Sequence, residues 1–272
     1  MRFGVISDIH SNLIALETVL EDIGEVDQYW CLGDVVGYGP QPNECIQTLL
    51  DLDHVVIMGN HDAGAIGKIS VRDFNGEARR AIEWTARELT PEGKAFLRSA
   101  PEQLTHNEVL LVHGSPRDPI WEYITTPMQA EAAFADSDRP CIMVGHTHLQ
   151  TAFVRDSSGR VLMGAPEDDM LLPIDDQRML INPGSVGQPR DGDPRAAYVV
   201  VDSDERTVEF HRVKYDVEEA QRRMKATKPA IGSPKARTRQ VVPLVPFGGK
   251  QIATAQSSAR AEPAYSGRTG SR

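Results

Sequence analysis

The chain has 272 residues, of which 40% are hydrophobic, 25% charged and 6% aromatic, and its formal net charge is −10. That length builds one or two domains with a large core, and those fractions exclude wholesale disorder and collagen-like or coiled-coil architectures. No apolar run approaches the roughly 18 residues needed to span a bilayer.

Arg2–Ile6 is a short apolar, partly β-branched run that stops at Ser7-Asp8, and it predicts a first strand. Leu13, Leu16, Leu20 and Ile23 then share one face of a helix over Asn12–Ile23, with Ser11 or Asn12 placed to cap it. Gln28–Leu32 predicts a second strand ending at Gly33-Asp34. Gln41–Leu52 predicts a second helix, and His54–Met58 a third strand ending at Gly59-Asn60-His61-Asp62. Strand–helix–strand order of this kind predicts a parallel sheet with right-handed crossovers.

From Asn75 to Ser99 the pattern is helical, with a second start at Thr90-Pro91, where Thr is placed as N-cap and Pro at the first helical position. This stretch interrupts the strand series and reads as an inserted cap. Strands are expected again at Val109–Val112, Cys141–Val144, Thr151–Arg155, Arg178–Ile181, Ala197–Asp202 and Thr207–Val213, followed by a helix over Val217–Lys225. Several of these strands lie too close together for a helix between them, which predicts antiparallel or mixed pairing.

Periodicity stops at Thr227. Residues 228–272 hold eight Lys/Arg against one acid, Glu262, and so carry +7, while the preceding 227 residues carry −17. The body is therefore too acidic to bind nucleic acid generally, and the basic tail is the part suited to a weak contact with RNA or another anion. Cys31, Cys45 and Cys141 are scattered and without C-x-x-C spacing, which predicts buried free thiols in a reducing compartment rather than a structural zinc site. The first residues lack the apolar core and cleavage site of a secretory leader, so the expected location is the cytoplasm.

The positions of the polar residues carry the chemical information. Asp8 and His10 follow the first strand, Asp34 the second, and Asn60, His61 and Asp62 the third. His113 follows Val109–Val112, and His146 and His148 follow Cys141–Val144. In α/β sheets, ligands bind beyond the carboxyl ends of the strands. Five strand ends thus deliver their polar groups to one rim, and five of the eight histidines are among them. Each pair alone is an ordinary turn or surface loop; the ordered set is not. Imidazole with carboxylate and amide oxygens suits Mn, Fe, Zn, Ni or Co. Two aspartates and two divalent cations make a site of net positive charge, which suits an anionic phosphate ester.

The blocks Ser7-Asp8-Ile9-His10-Ser11-Asn12, Gly33-Asp34-Val35-Val36, Gly59-Asn60-His61-Asp62, Val112-His113-Gly114 and Gly145-His146-Thr147-His148 resemble the five motifs of the calcineurin-like metallophosphoesterases. The resemblance runs to about Val213 and includes Asn182-Pro183-Gly184-Ser185, a loop of the small bacterial and archaeal branch. It implies an α/β fold of two packed mixed sheets flanked by helices. It also implies hydrolysis of a phosphomonoester or phosphodiester through two divalent ions, manganese foremost, and a bridging hydroxide. One metal is implied on Asp8, His10 and His148 and the second on Asn60, His113 and His146, with Asp34 bridging them. His61 is implied as general acid or charge stabiliser, oriented by Asp62.

On this reading residues 1–227 form one domain with a helical insertion at about 63–105, and residues 228–272 form a disordered tail. The insertion follows Asn60-His61-Asp62 directly, so it is expected to cover the cleft and to favour a small phosphorylated substrate such as a nucleotide. Asn12 at the first helix start and Arg190 after the Gly/Pro loop are candidate substrate contacts. Tyr38 is a candidate cleft wall, and Ser185 reads as a turn residue because no base is spaced to activate it. A protein serine/threonine phosphatase shares the implied chemistry, and some relatives use the fold as a non-catalytic protein-binding scaffold.

Overall fold

A computed structural model of the chain describes residues 1–174 and 177–231. In chain order the elements begin with β1 (Arg2–Ile6), α1 (Leu13–Ile23), β2 (Gln28–Cys31), α2 (Pro42–Leu50), β3 (His54–Val56) and α3 (Asn60–Ala65). After a 3-10 turn at Val71–Asp73 come α4 (Gly76–Glu88), α5 (Pro91–Ser99), β4 (Gln103–His106), β5 (Val109–Val112), α6 (Pro127–Ala135) and β6 (Cys141–Met143). The chain continues through β7 (Gln150–Arg155), β8 (Val161–Gly164), β9 (Met170–Pro173), β10 (Arg178–Pro183), β11 (Ala196–Asp202), β12 (Thr207–Val213) and α7 (Val217–Ile231).

The strands form two six-stranded mixed sheets, ordered β3-β2-β1-β11-β12-β9 and β4-β5-β6-β10-β7-β8. β1, β2 and β3 are parallel, and β11 then runs antiparallel to β1. In the second sheet β5, β6 and β10 are parallel, and β4, β7 and β8 join antiparallel.

Strand alternation builds the layers. Side chains on successive residues point to opposite faces. Phe3 and Val5 of β1, Met179 and Ile181 of β10, and Val199 and Val201 of β11 lie in one buried cluster where the two sheets meet. Ile6, Tyr198 and Val200 point the other way, into a cluster with Leu16 and Val19 of α1, Ile46 and Leu49 of α2, and Ile82 of α4. Leu180 packs with Ala130, Ala133 and Phe134 of α6 on the far side of the second sheet. The result is the expected helix–sheet–sheet–helix sandwich, with each strand of the centre buried on both faces. Cys31, Cys45 and Cys141 are buried and free.

Asn12 caps α1 by accepting from the backbone N–H of Ala15, and Thr90 caps α5 ahead of Pro91, as the sequence predicts. Five elements lie outside the sequence expectations, the first being α3, a six-residue helix that starts at Asn60 within the block read as a strand-end turn. α6 carries the Thr-Pro start signal, with Thr126 accepting from Gln129, but it is a short helix rich in Ala. β4, β8 and β9 are edge strands of four residues each, half exposed and bonded on one side only. Four residues, few of them buried, are too few to show a hydrophobic period. β4 pairs with β5, so residues 103–105 belong to the second sheet rather than to the helical insertion. α7 extends to Ile231, past the expected boundary at Thr227. The tail from residue 232 and the Asp175-Asp176 pair lie outside the described residues.

Candidate metal centre

The two sheets pack with the carboxyl ends of β1, β2, β3, β5 and β6 at one rim, and the loops that leave them are bound tightly to one another. The backbone N–H groups of Asp8, His10 and Ser11 donate to the carbonyls of Gly33, Asp34 and Val35. Asn182 on the end of β10 donates to the Gly145 carbonyl and the Thr147 hydroxyl, which fixes the loop carrying His146 and His148. Ser185 donates to the carbonyl of Asp8 and accepts from the N–H of Gln188, the turn role expected of it.

This lacing holds the backbone in a conformation that side-chain-bearing residues avoid. Asp8, His10, Asp34, His146 and His148 all have positive φ, between 50° and 65°. Each such residue costs on the order of 1–3 kcal/mol, and such strain persists only where the surroundings over-determine it. Five strained positions at one rim mark the place where the fold sacrifices stability for geometry.

Side chains from all five strand ends converge, and all are buried. Asp8 Oδ1 lies 3.3 Å from His148 Nε2 and 3.8 Å from His10 Nε2, and the two Nε2 atoms stand 3.0 Å apart. Asp34 Oδ2 lies 3.6 Å from His10 Nε2 and 3.5 Å from His113 Nε2. His113 Nε2 in turn lies 3.2 Å from both Asn60 Oδ1 and His146 Nδ1. Asp34 therefore stands between two groups: Asp8, His10 and His148 on one side, and Asn60, His113 and His146 on the other.

The hydrogen bonds behind these atoms decide what the front can do. His10 Nδ1 faces the Val36 carbonyl at 3.3 Å, His113 Nδ1 that of Leu32 at 2.7 Å, and His148 Nδ1 that of Gln188 at 2.6 Å. His146 is turned the other way, with Nε2 on the Trp121 carbonyl at 3.2 Å. A carbonyl only accepts, so each imidazole donates its N–H backward and aims a lone pair into the centre. Asp8 Oδ2 accepts from the Ser7 hydroxyl and the His146 N–H, which leaves Oδ1 without a hydrogen-bond partner. Asp34 Oδ1 accepts from the His61 N–H and leaves Oδ2 facing inward. Lone pairs at 3.0–3.6 Å repel one another unless a cation lies among them, so the donor set fits divalent metal.

Burial accounts for the electrostatics. It pushes the Asp8 carboxyl up to about 7, with the neighbouring His113 opposing and the Asp34 charge adding. It holds Asp34 well above the ordinary carboxyl range, with the Asp62 charge adding. It holds His10, His61, His146 and His148 well below the ordinary imidazole range, so these rings are neutral and able to ligate. The Arg190 charge is felt at Asp8, Asp34, His61 and His148, which places a cation beside the rim.

Asp62 and Asn12 are both engaged with the backbone. The Asp62 oxygens accept from the N–H groups of Val36 and Gly59, and His61 Nδ1 has no hydrogen-bond partner. Asp62 is spent on fastening two loops together, because buried backbone N–H groups must be satisfied. The Asn12 amide is also committed, with Oδ1 capping α1 and Nδ2 donating to the Gly187 carbonyl and the Tyr215 hydroxyl. Around the centre stands an aromatic wall that the sequence did not reveal beyond Tyr38. Tyr38 lies 4.9 Å from the His10 ring and 4.5 Å from His61, Phe74 lies 5.4 Å from His61, and Tyr123 stacks on His146 at 4.0 Å. Phe74 follows the 3-10 turn at Val71–Asp73 and packs between the rings of His61 and Trp121.

Fold and site together define the class, a two-sheet sandwich with a buried His, Asp and Asn rim arranged to hold divalent cations. The chain belongs to the calcineurin-like phosphoesterase superfamily, whose domain model matches residues 1–206. It is 41% identical to an uncharacterised protein of Methanocaldococcus jannaschii, over 79% of this chain and 88% of that one. The crystal structure of a metallophosphoesterase from Sphaerobacter thermophilus is 42% identical and superposes with a TM-score of 0.77, covering 85% of this chain and 98% of that one. A hypothetical protein of Pyrococcus horikoshii, 23% identical, shares the fold with a TM-score of 0.68 over 85% of this chain and 96% of its own.

Proposed function

We propose that this protein is a metal-dependent hydrolase of a small phosphoester, working with two divalent ions, manganese foremost. The observation that carries the reading is the set of buried lone pairs facing one another with every opposing N–H turned backward. Asp8, His10 and His148 would hold one ion, Asn60, His113 and His146 the other, and Asp34 both. Bound there, the ions would polarise the phosphoryl oxygens and lower the pKa of a coordinated water. His61, buried at the rim of the centre, would give a proton to the leaving oxygen once protonated, or in its neutral form stabilise charge on the phosphoryl group through a ring N–H. Arg190 supplies a cation on the rim for a phosphate oxygen.

The acidic body and the wall formed by Phe74 and Tyr123 favour a small substrate over a long polyanion. Three buried thiols and the absence, among the described residues, of any helix long and apolar enough to cross a membrane fit a cytoplasmic enzyme. The test is a matrix of metals against 4-nitrophenyl monoester and diester substrates. Turnover is expected with manganese and is expected to vanish in Asp34→Asn. Processive nuclease activity would overturn the small-substrate reading, and unchanged turnover in Asp34→Asn would overturn the centre.

A further inference from the structure

A cavity of about 280 Å³ opens beside the candidate metal centre, between the loop before α2, the Gly187–Pro194 loop and the exposed start of α7. His10 and Tyr38 line it, and the same two residues border the centre, with Tyr38 against the rings of both His10 and His61. The cavity is thus a side chamber of the reaction site. Its wall on the α7 side lies C-terminal to residues 1–206, the part shared with the family domain.

The lining has a specific chemistry. Tyr38, Tyr215 and Met224 give flat or adaptable apolar surface. Gln41, Gln188 and Gln221 give amides that both donate and accept. No carboxylate lines the chamber, although the chain as a whole carries −10. Arg223 reaches across from α7 to donate to Gln41 Oε1 at 3.2 Å, so the helix and the opposite loop close over the cavity together. Aromatic faces with amide groups at the edge are the means by which proteins hold a planar heterocycle. The volume lies just below the range of whole drug-sized ligand sites, and it suits one ring system with a sugar at its mouth.

We propose that this chamber binds the base of a nucleoside phosphoester whose phosphate occupies the metal centre, and that α7 is the specificity element. The inference rests on the phosphoesterase reading above. Two diesters with the same leaving group test it: thymidine 5′-(4-nitrophenyl) phosphate and methyl 4-nitrophenyl phosphate. With the full-length manganese-loaded protein, kcat/KM is expected to be at least tenfold higher for the thymidine ester. Ala220→Trp and Met224→Trp, which fill the chamber from α7, are expected to reduce that ratio at least fivefold through KM.

Calorimetric titration with thymidine and adenosine, which carry no phosphate, is the second readout. Both are expected to bind the wild-type protein and to lose binding in the Trp variants, and Gln221→Ala serves where a Trp variant does not fold. A ratio near one together with no nucleoside binding would overturn the chamber. Nucleoside binding without hydrolysis of either ester would overturn the phosphoesterase reading and leave the chamber standing.

Discussion

His10 Nε2 and His148 Nε2 face each other at 3.0 Å while each ring donates its other N–H to a backbone carbonyl. Neither nitrogen has a proton to offer the other, and both rings are held neutral by burial. The contact is a repulsion that a cation turns into an attraction. The protein is therefore expected to gain stability from metal. A divalent ion at 100 times its Kd stabilises by about 2.7 kcal/mol, which for a domain of this size is a rise in melting temperature of about 5–10 °C. Scanning calorimetry of chelated and manganese-loaded protein checks it, and equal melting temperatures would sink the metal assignment.

The same burial sets a pH dependence. Asp8 is held near pH 7, so below that pH the metal-free protein carries a proton there that an incoming ion must displace. His10, His146 and His148 add no such cost because burial holds them well below the ordinary range. Affinity for manganese is expected to fall as pH drops from 7 to 5.5, by about tenfold per unit for each proton displaced. Calorimetric titration across that window, with the proton release read from two buffers, measures it. A flat affinity profile would mean that Asp8 enters the site already ionised.

His61 and Asp62 are adjacent in sequence but act on different things. Removing the imidazole in His61→Ala is expected to lower kcat by about 10²–10⁴, the usual share of a general acid, with little change in the melting temperature of the loaded protein. Asp62→Asn replaces one accepting oxygen with a donor facing the Val36 or Gly59 N–H, and is expected to cost about 1–3 kcal/mol of stability. Its pH–rate profile should keep the wild-type shape. A displaced profile would show that Asp62 tunes His61 after all.

Gly59 is the N-cap of α3, where the chain passes Asp34. A Cβ there would lie 2.1 Å from Asp34 Oδ1 and 2.2 Å from its backbone nitrogen. Gly59→Ala is expected to destabilise by about 1–3 kcal/mol through overpacking and to weaken metal binding by displacing the shared carboxylate. Melting curves with and without manganese separate the two effects, and a variant with wild-type metal affinity would show that Asp34 can shift freely.

Much of the fold was legible in the chain. β1 and β5 begin and end where the apolar runs do, since strands buried on both faces are almost wholly apolar, and β12 does so through its alternation, with Val208 and Phe210 buried between polar neighbours. α6 and the edge strands were not, because a short Ala-rich helix and strands bonded on one side bury too little for a periodic signature. At the site, the residues that meet were identified from their places at strand ends, and that reading needed no coordinates. Residues that support them were harder to see. The carbonyls of Val36, Leu32, Gln188 and Trp121 that set the imidazole tautomers belong to no side-chain pattern, because every residue has a carbonyl.

The division has a physical cause. The order of apolar runs and the residues that end them determined that imidazoles and carboxylates would gather at one rim, since strand direction in a parallel sheet puts every strand's carboxyl end on the same side. Tertiary structure alone decided which way each ring faces, that Asp62 binds backbone rather than His61, and that α7 and Tyr38 enclose a chamber beside the centre. Those outcomes depend on which backbone groups segments far apart in sequence leave unpaired when they pack, and no local pattern encodes that.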